Sequence, residues 1–181
     1  SSDLFLEDYN EQEYQNQKME EMSIKNQVDF LTKLYNREFF SQEVERILKD
    51  MANHKTEKKS ALFLLDLDFF KKANDTLGHI TGDEILRESG MIMKSIIRST
   101  DLAGRLGGDE FVLFIKDAKD VPALEVCAEK VNRALHKIYG EGEKTVTVSA
   151  SIGIAVVTKE KTFAELYKMA DLALYEAKKQ G

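Results

Sequence analysis

The stretch LAGRLGGDEFVLFI, residues 102–115, sets two short apolar runs on either side of a Gly-Gly pair. Leu102 to Leu106 and Phe111 to Ile115 have strand composition, and Gly107-Gly108 between them can take positive φ without steric penalty, so the pattern predicts a β-hairpin. Asp109 and Glu110 follow the glycines directly, which puts two carboxylates at the tip with room beside them for a bulky ligand. Taken alone, such a turn is a plain hairpin more often than a site.

Working outward, Ala61 to Leu67 is a nearly continuous apolar run interrupted by Asp66, the pattern of a central strand covered on both faces. Asp66 and Asp68 end that strand, where an ionised carboxylate is costly unless it is paired or binds a cation. An ion pair with Lys71 or Lys72, or capping of the next helix, accounts for them as well as a metal does. The second acidic group, Asp109-Glu110, shifts the balance toward chelation, and an oxygen cluster of this kind suits magnesium completed by water and substrate phosphate.

Helical spacing appears from Arg37 (Phe40, Val44, Ile47, Leu48, Met51), then over Phe70 to Leu77 and Gly82 to Arg98 with Gly78 as the break. It recurs over Leu124, Cys127, Val131, Leu135 and Ile138, and again over Phe163, Leu166, Met169, Ala170, Ala173, Leu174 and Ala177. Thr145 to Val157 reads as one long strand or two short ones. Helices alternating with strands, plus one hairpin, predict an α/β sandwich with a mixed central sheet flanked by helices. Residues 1–28, rich in Glu, Gln, Asn and Lys, read as a helical connector from an upstream part, or as a solvated tail; residues 29–181 form the folded domain.

Across 181 residues, 43% are hydrophobic and 32% charged, an ordinary globular composition. The net charge of −6 excludes the overall basic surface of a nucleic-acid binder and suits cation binding, so no nucleic-acid polymer is expected as partner. The single cysteine, Cys127, forms no internal disulfide and reads as a small packed hydrophobe. The opening SSDLFLEDYN has no leader pattern and no run reaches 18 apolar residues, so a cytoplasmic domain is expected, whether or not the parent protein is anchored in a membrane.

Arg105-Leu106-Gly107-Gly108-Asp109-Glu110-Phe111 resembles the signature of the GGDEF family of diguanylate cyclases, and further motifs stand in family order. Asp29-Phe30-Leu31-Thr32-Lys33-Leu34-Tyr35-Asn36-Arg37 is similar to the family's opening DxLTGLxNR, with Lys33 where glycine is usual. Leu65 to Lys71 and Asn74 to His79 resemble its metal strand and guanine loop, and Gly82-Asp83-Glu84-Ile85-Leu86 its next helix. Ser149-Ile152-Gly153 and Ala170 to Lys178 complete the series.

The resemblance implies a palm-like, nucleotidyl-cyclase-like fold that condenses two GTP molecules into cyclic di-GMP with release of pyrophosphate, each subunit of a homodimer presenting one GTP. It implies Mg²⁺, with Mn²⁺ as substitute, held by the carboxylates of Asp66 and Asp109 and the Leu67 carbonyl, with Glu110 completing the set or assisting deprotonation. Asn74 and Asp83 would read guanine, whose ring N–H and exocyclic amine can both donate to one carboxylate. Gly107 and Gly108 would admit the substrate, and Phe69, Phe70, Lys71 and Lys178 would line the phosphates. A further basic residue usual in the family would fall at position 182, past Gly181. Arg98 and Asp101 resemble the RxxD inhibitory site that binds the product, although an i,i+3 surface ion pair explains the same four residues. His79 resembles a structural residue of the family, and an upstream sensor would act through the connector. The main alternative is a GGDEF-like receptor that binds GTP or cyclic di-GMP without turnover; a related palm enzyme with another substrate is the other.

Overall fold

A computed structural model describes residues 2–180; Ser1 and Gly181 lie outside the described residues. In chain order the elements are α1 (Ser2–Lys25), α2 (Arg37–Ala52), β1 (Lys59–Asp68), α3 (Phe70–Leu77), α4 (His79–Ile96), β2 (Leu102–Gly107), β3 (Glu110–Ala118), α5 (Val121–Leu135), β4 (Lys137–Glu141), β5 (Lys144–Val156) and α6 (Phe163–Lys179). No helix among the described residues is long and apolar enough to cross a membrane.

The strands form one sheet in the order β2-β3-β1-β5-β4. The α/β sandwich is as expected, but every ladder is antiparallel, and the parallel pairing is confined to an isolated bridge between Tyr35 and Gly104. The physical reason is a split crossover: β1 and β2 do run the same way after the α3–α4 connection, yet β3 turns back through the hairpin and inserts between them. The most apolar strand, β1, thereby becomes central.

Alternation along β1 divides the core in two. Ala61, Phe63, Leu65 and Leu67 pack with Ala73, Ile85, Met93, Leu124 and Val131 of α3, α4 and α5. Leu62 and Leu64 pack on the other face with Phe40, Val44, Leu166, Ala170 and Leu174 of α2 and α6. Asp66 and Asp68 continue that second set past the end of the apolar run, so the acid groups emerge on the α6 side.

Local chemistry fixes the helix starts. Asn36 caps α2 by accepting from the Phe39 amide at 2.9 Å, Asp120 caps α5 through Ala123, and Thr162 with Glu165 forms a reciprocal capping box on α6. At Gly153, paired with Leu64 across the sheet, an added Cβ would collide with the backbone of Ala170 and Leu174, so glycine is what lets α6 lie directly on β5.

Two expectations are corrected and one pair of alternatives is resolved. Ile138 is not on α5, which stops at Leu135; it lies in the edge strand β4, 64% exposed, because five residues ending in a Gly142 turn at φ 61° are too short to declare an alternating pattern. Residues 144–156 are one strand. On α6, Met169 and Ala177 are exposed rather than on the packed face. The connector is one helix, α1, exposed wherever its side chains are described.

Candidate active site

The hairpin turn is anchored before it is functional. Gly107 and Gly108 take φ of 136° and 50°, and an added Cβ at either would meet nothing within 4 Å, leaving open space over the turn. Arg105 holds the turn from below: its Nε donates to the Gly108 carbonyl at 2.9 Å and its Nη1 to Asp29 Oδ1 at 3.0 Å. Burial raises the pKa of Asp29, but hydrogen bonds from the Thr32 amide and hydroxyl and the charge of Arg105 outweigh it and hold the carboxyl below its usual range. The Asp29-to-Arg37 segment thus positions the acidic tip. Lys33 within it stands at φ 62°, a left-handed conformation that explains why glycine suits this position better.

The carboxylates meet where β1 ends. Asp66 pairs in register with Glu110 across β1 and β3, and the Leu67 amide donates to the Asp109 carbonyl at 3.2 Å, which brings the tip of the hairpin against the strand end. Partial burial, the charge of Asp66 and a hydrogen bond between the two side chains push the Asp109 carboxyl up to about 6. This is the behaviour of two acid groups competing for one positive charge. No trio of His, Cys, Asp and Glu side chains converges among the described residues. Two carboxylates in contact nevertheless fit magnesium, which takes one or two from protein and the remainder of its oxygens from water and phosphate.

Neither sequence alternative for Asp66 and Asp68 is realised: Lys71 and Lys72 do not pair with them, and the α3 cap position is Phe69 at φ 66°, with no side-chain cap. Instead the Lys178 ammonium from α6 pairs with Asp66 Oδ2, and that hydrogen bond raises the lysine's pKa. Asp68 accepts from the hydroxyls of Ser149, at 3.3 Å, and Ser151, at 2.8 Å. Glu110 accepts from the Tyr167 hydroxyl at 2.6 Å, a contact that sequence reading missed because Tyr167 is one aromatic among the packed positions of α6.

Asn74 lies against Gly82 across the α3–α4 turn, and Asp83 follows that glycine in sequence. An added Cβ on Gly82 would strike the Asn74 Oδ1, so the absence of a side chain at 82 gives Asn74 its place beside exposed Asp83. Asp83 lies beyond the first turn of α4, past the orphan amides that would favour a negative charge at the helix start. Phe69 is exposed and Lys71 points into solvent at the mouth of the same end of the sheet. A hollow of about 560 Å³ opens beside Asp68, lined by Asn132, Arg133, Ser149 and Ser151 among others, and includes none of Asp66, Asp109, Asn74 or Asp83.

Arg98 and Asp101 stand away from this cluster, at the turn leading into β2. The Asp101 side chain is buried: its Oδ2 accepts from the Arg98 amide and its Oδ1 from the Lys116 amide, each at 2.9 Å, while the Arg98 guanidinium is exposed 3.6 Å from it. Asp101 ties the turn down, and Arg98, though exposed, donates from Nη2 to the Lys116 carbonyl and forms with Asp101 the i,i+3 ion pair that the sequence allowed. Cys127 is half-buried nearby, its thiol pushed up by burial and by Asp101.

An antiparallel split sheet thus sets acidic side chains from β1 and from an open Gly-Gly turn at one end of the sheet. The family model described as "Diguanylate cyclase, GGDEF domain" matches residues 26–181, and the chain belongs to that family. It is 38% identical over 164 residues to diguanylate cyclase DgcS of Shewanella oneidensis, covering 90% of this chain and 53% of that protein. It is also 38% identical to the response regulator PleD of Caulobacter vibrioides, covering 84% of this chain and 34% of PleD. The chain therefore spans about half, or less, of the length of these curated relatives. Among solved structures, the GGDEF domain of PA1120 (TpbB or YfiN) from Pseudomonas aeruginosa superposes with a TM-score of 0.76 at 34% identity, covering 85% of this chain and 90% of that one. The coiled coil and GGDEF domain of DgcB from Caulobacter crescentus, solved in complex with c-di-GMP, gives 0.88 over 98% and 93%; at 24% identity it supports the fold.

Proposed function

We propose that this chain is the catalytic domain of a diguanylate cyclase, condensing two GTP into cyclic di-GMP with release of pyrophosphate. The seating of the Asp109 tip against the end of β1, through the Asp66–Glu110 register and the bond from the Leu67 amide to the Asp109 carbonyl, carries the reading, supported by curated relatives that bear the name diguanylate cyclase. Magnesium, with manganese as substitute, would be held by Asp66, Asp109, Glu110 and the Leu67 carbonyl, and it supplies charge neutralisation of the attacked phosphate and of the departing pyrophosphate. Asn74 and Asp83 bind guanine and discriminate against adenine, which lacks the donor pair that satisfies Asp83. Lys71, Lys178 and the amides of Phe69 and Phe70 hold the triphosphate. Positioning and charge complementarity supply most of the acceleration, so no dedicated base is required.

The 3′-hydroxyl of one GTP attacks the α-phosphorus of another held in a facing subunit, so the active species is a homodimer. Exposed α1 is the route by which an upstream sensor would align the two subunits, in the cytoplasm. Product binds at Arg98, whose exposed guanidinium would exchange the Lys116 carbonyl for the product while Asp101 fixes its turn, and lowers activity from there. The deciding experiment is incubation of the chain with GTP and Mg²⁺ followed by chromatography. Cyclic di-GMP should form with the parent chain and not with Asp109→Ala; no product at any protein concentration refutes the reading.

A further inference from the structure

The side chain of Glu110 stands directly opposite Asp66 in the β1–β3 ladder, yet it is the Asp66–Asp109 pair that closes up. Among the described residues the side-chain partner of Glu110 is the Tyr167 hydroxyl, which donates to Oε1 at 2.6 Å. A glutamate carboxylate hangs on three rotatable single bonds, and this hydrogen bond to a charged acceptor fixes both its direction and which oxygen is engaged.

The donor is itself held by two neighbours. Tyr167 sits on α6, one helical turn after Phe163, whose ring lies 6.2 Å away and in turn meets the buried Phe40 ring edge-on at 6.0 Å. The Arg37 guanidinium covers the opposite side of the tyrosine ring at 5.8 Å. Arg37 opens α2, so the hydroxyl is aimed by two helices packed against the same core. Tyr167 and Lys178 are eleven residues apart, close to three whole turns, and so share one face of α6; that face reaches Glu110 at one end and Asp66 at the other.

We propose that Tyr167 is a positioning residue for the reaction: its hydroxyl fixes one oxygen of Glu110, so that the other oxygen remains to take up the divalent cation beside Asp66 and Asp109. The inference rests on the cyclase reading for the identity of the reaction, but its geometric content stands on the hydrogen bond. Partners of this kind, which orient a ligand without touching the ion, typically change metal affinity or activity by about 10-fold to 100-fold when removed.

The test compares the parent chain with Tyr167→Phe, Glu110→Gln and the double variant. Tyr167→Phe keeps the ring, its packing on Phe163 and its place beneath Arg37, and should leave the melting temperature near that of the parent. Turnover should fall about tenfold with the KM for GTP unchanged, and Mn²⁺ affinity, read by electron paramagnetic resonance with 3′-deoxy-GTP bound, should fall with it. In the Glu110→Gln background the same Tyr167→Phe change should leave Mn²⁺ affinity where it was, since the carboxylate it orients is gone. Undiminished Mn²⁺ affinity in Tyr167→Phe, or an equal loss with and without Glu110, overturns the proposal. If the parent chain makes no cyclic di-GMP, the cyclase reading fails by itself, while the Mn²⁺ measurements still decide what Tyr167 does.

Discussion

Asp109 is seated against the end of β1, its carbonyl bonded by the Leu67 amide, and burial together with the charge of Asp66 makes its carboxyl harder to ionise. Lys178 offsets the charge of Asp66, and the cost that remains falls on Asp109.

The first prediction follows from the sign of that cost. Because burial and Asp66 push the Asp109 carboxyl up to about 6, above its unfolded value, the stability that its proton contributes is full below about pH 4 and lost as pH rises through 6. A shift of this size corresponds to about 3 kcal/mol when fully felt, and to about 1 kcal/mol for a half-exposed group screened by water. Asp109→Asn should thus melt about 2–4 °C above the parent at pH 7.5 and level with it at pH 4. A difference independent of pH removes the carboxylate repulsion from the account. Divalent-ion binding by the parent should strengthen over the same interval, because the ion displaces the proton.

Lys178 gives a prediction with two opposite signs. Its ammonium neutralises Asp66 in the nucleotide-free protein, and the proposed reaction needs it on phosphate. Lys178→Met should tighten Mn²⁺ binding to the free protein and weaken GTP binding, each severalfold, by calorimetry. Movement of both affinities in the same direction contradicts the dual role.

Gly82 and Asn74 should behave as one unit. Gly82→Ala places a methyl where the Asn74 amide lies, so GTP binding should weaken about tenfold despite the helix propensity gained. In an Asn74→Ala background the same change should cost GTP binding almost nothing. Equal losses in both backgrounds would mean that Gly82 acts through something other than the amide.

At Lys33 the backbone is left-handed, which costs an ordinary residue about 1–2 kcal/mol. Glycine relieves that cost and forfeits both chain entropy and the lysine's contact over the Phe30 ring at 4.7 Å. Lys33→Gly should therefore stabilise the domain by about 0.5 kcal/mol in urea titrations, and a loss of stability would show that the contact outweighs the strain.

Much of this was legible in the residues because the same ones do two jobs. Gly107-Gly108 announces both a turn and an opening, and a lone Asp66 in an apolar run announces both a strand and a charge needing a partner. The partner itself was not legible. Lys71 and Lys72 stand near Asp66 in sequence, while Lys178 arrives from 112 positions away, once α6 has packed across the sheet. The antiparallel order escaped for a similar reason: the helical crossover does return the chain in the β1 direction, and only three dimensions reveal that β3 has taken the intervening place. Tyr167 and the buried state of Asp101 likewise depend on neighbours that no local spacing encodes.

Gly153, which has no chemistry of its own, regulates all of it by its smallness. Any side chain there would act as a wedge beneath Ala170 and Leu174 and tilt α6 off its bed, withdrawing the lysine and the tyrosine from their carboxylates in a single movement. One missing methyl group, far from any reacting atom, thereby sets the gap across which the acidic tip and its two escorts can meet.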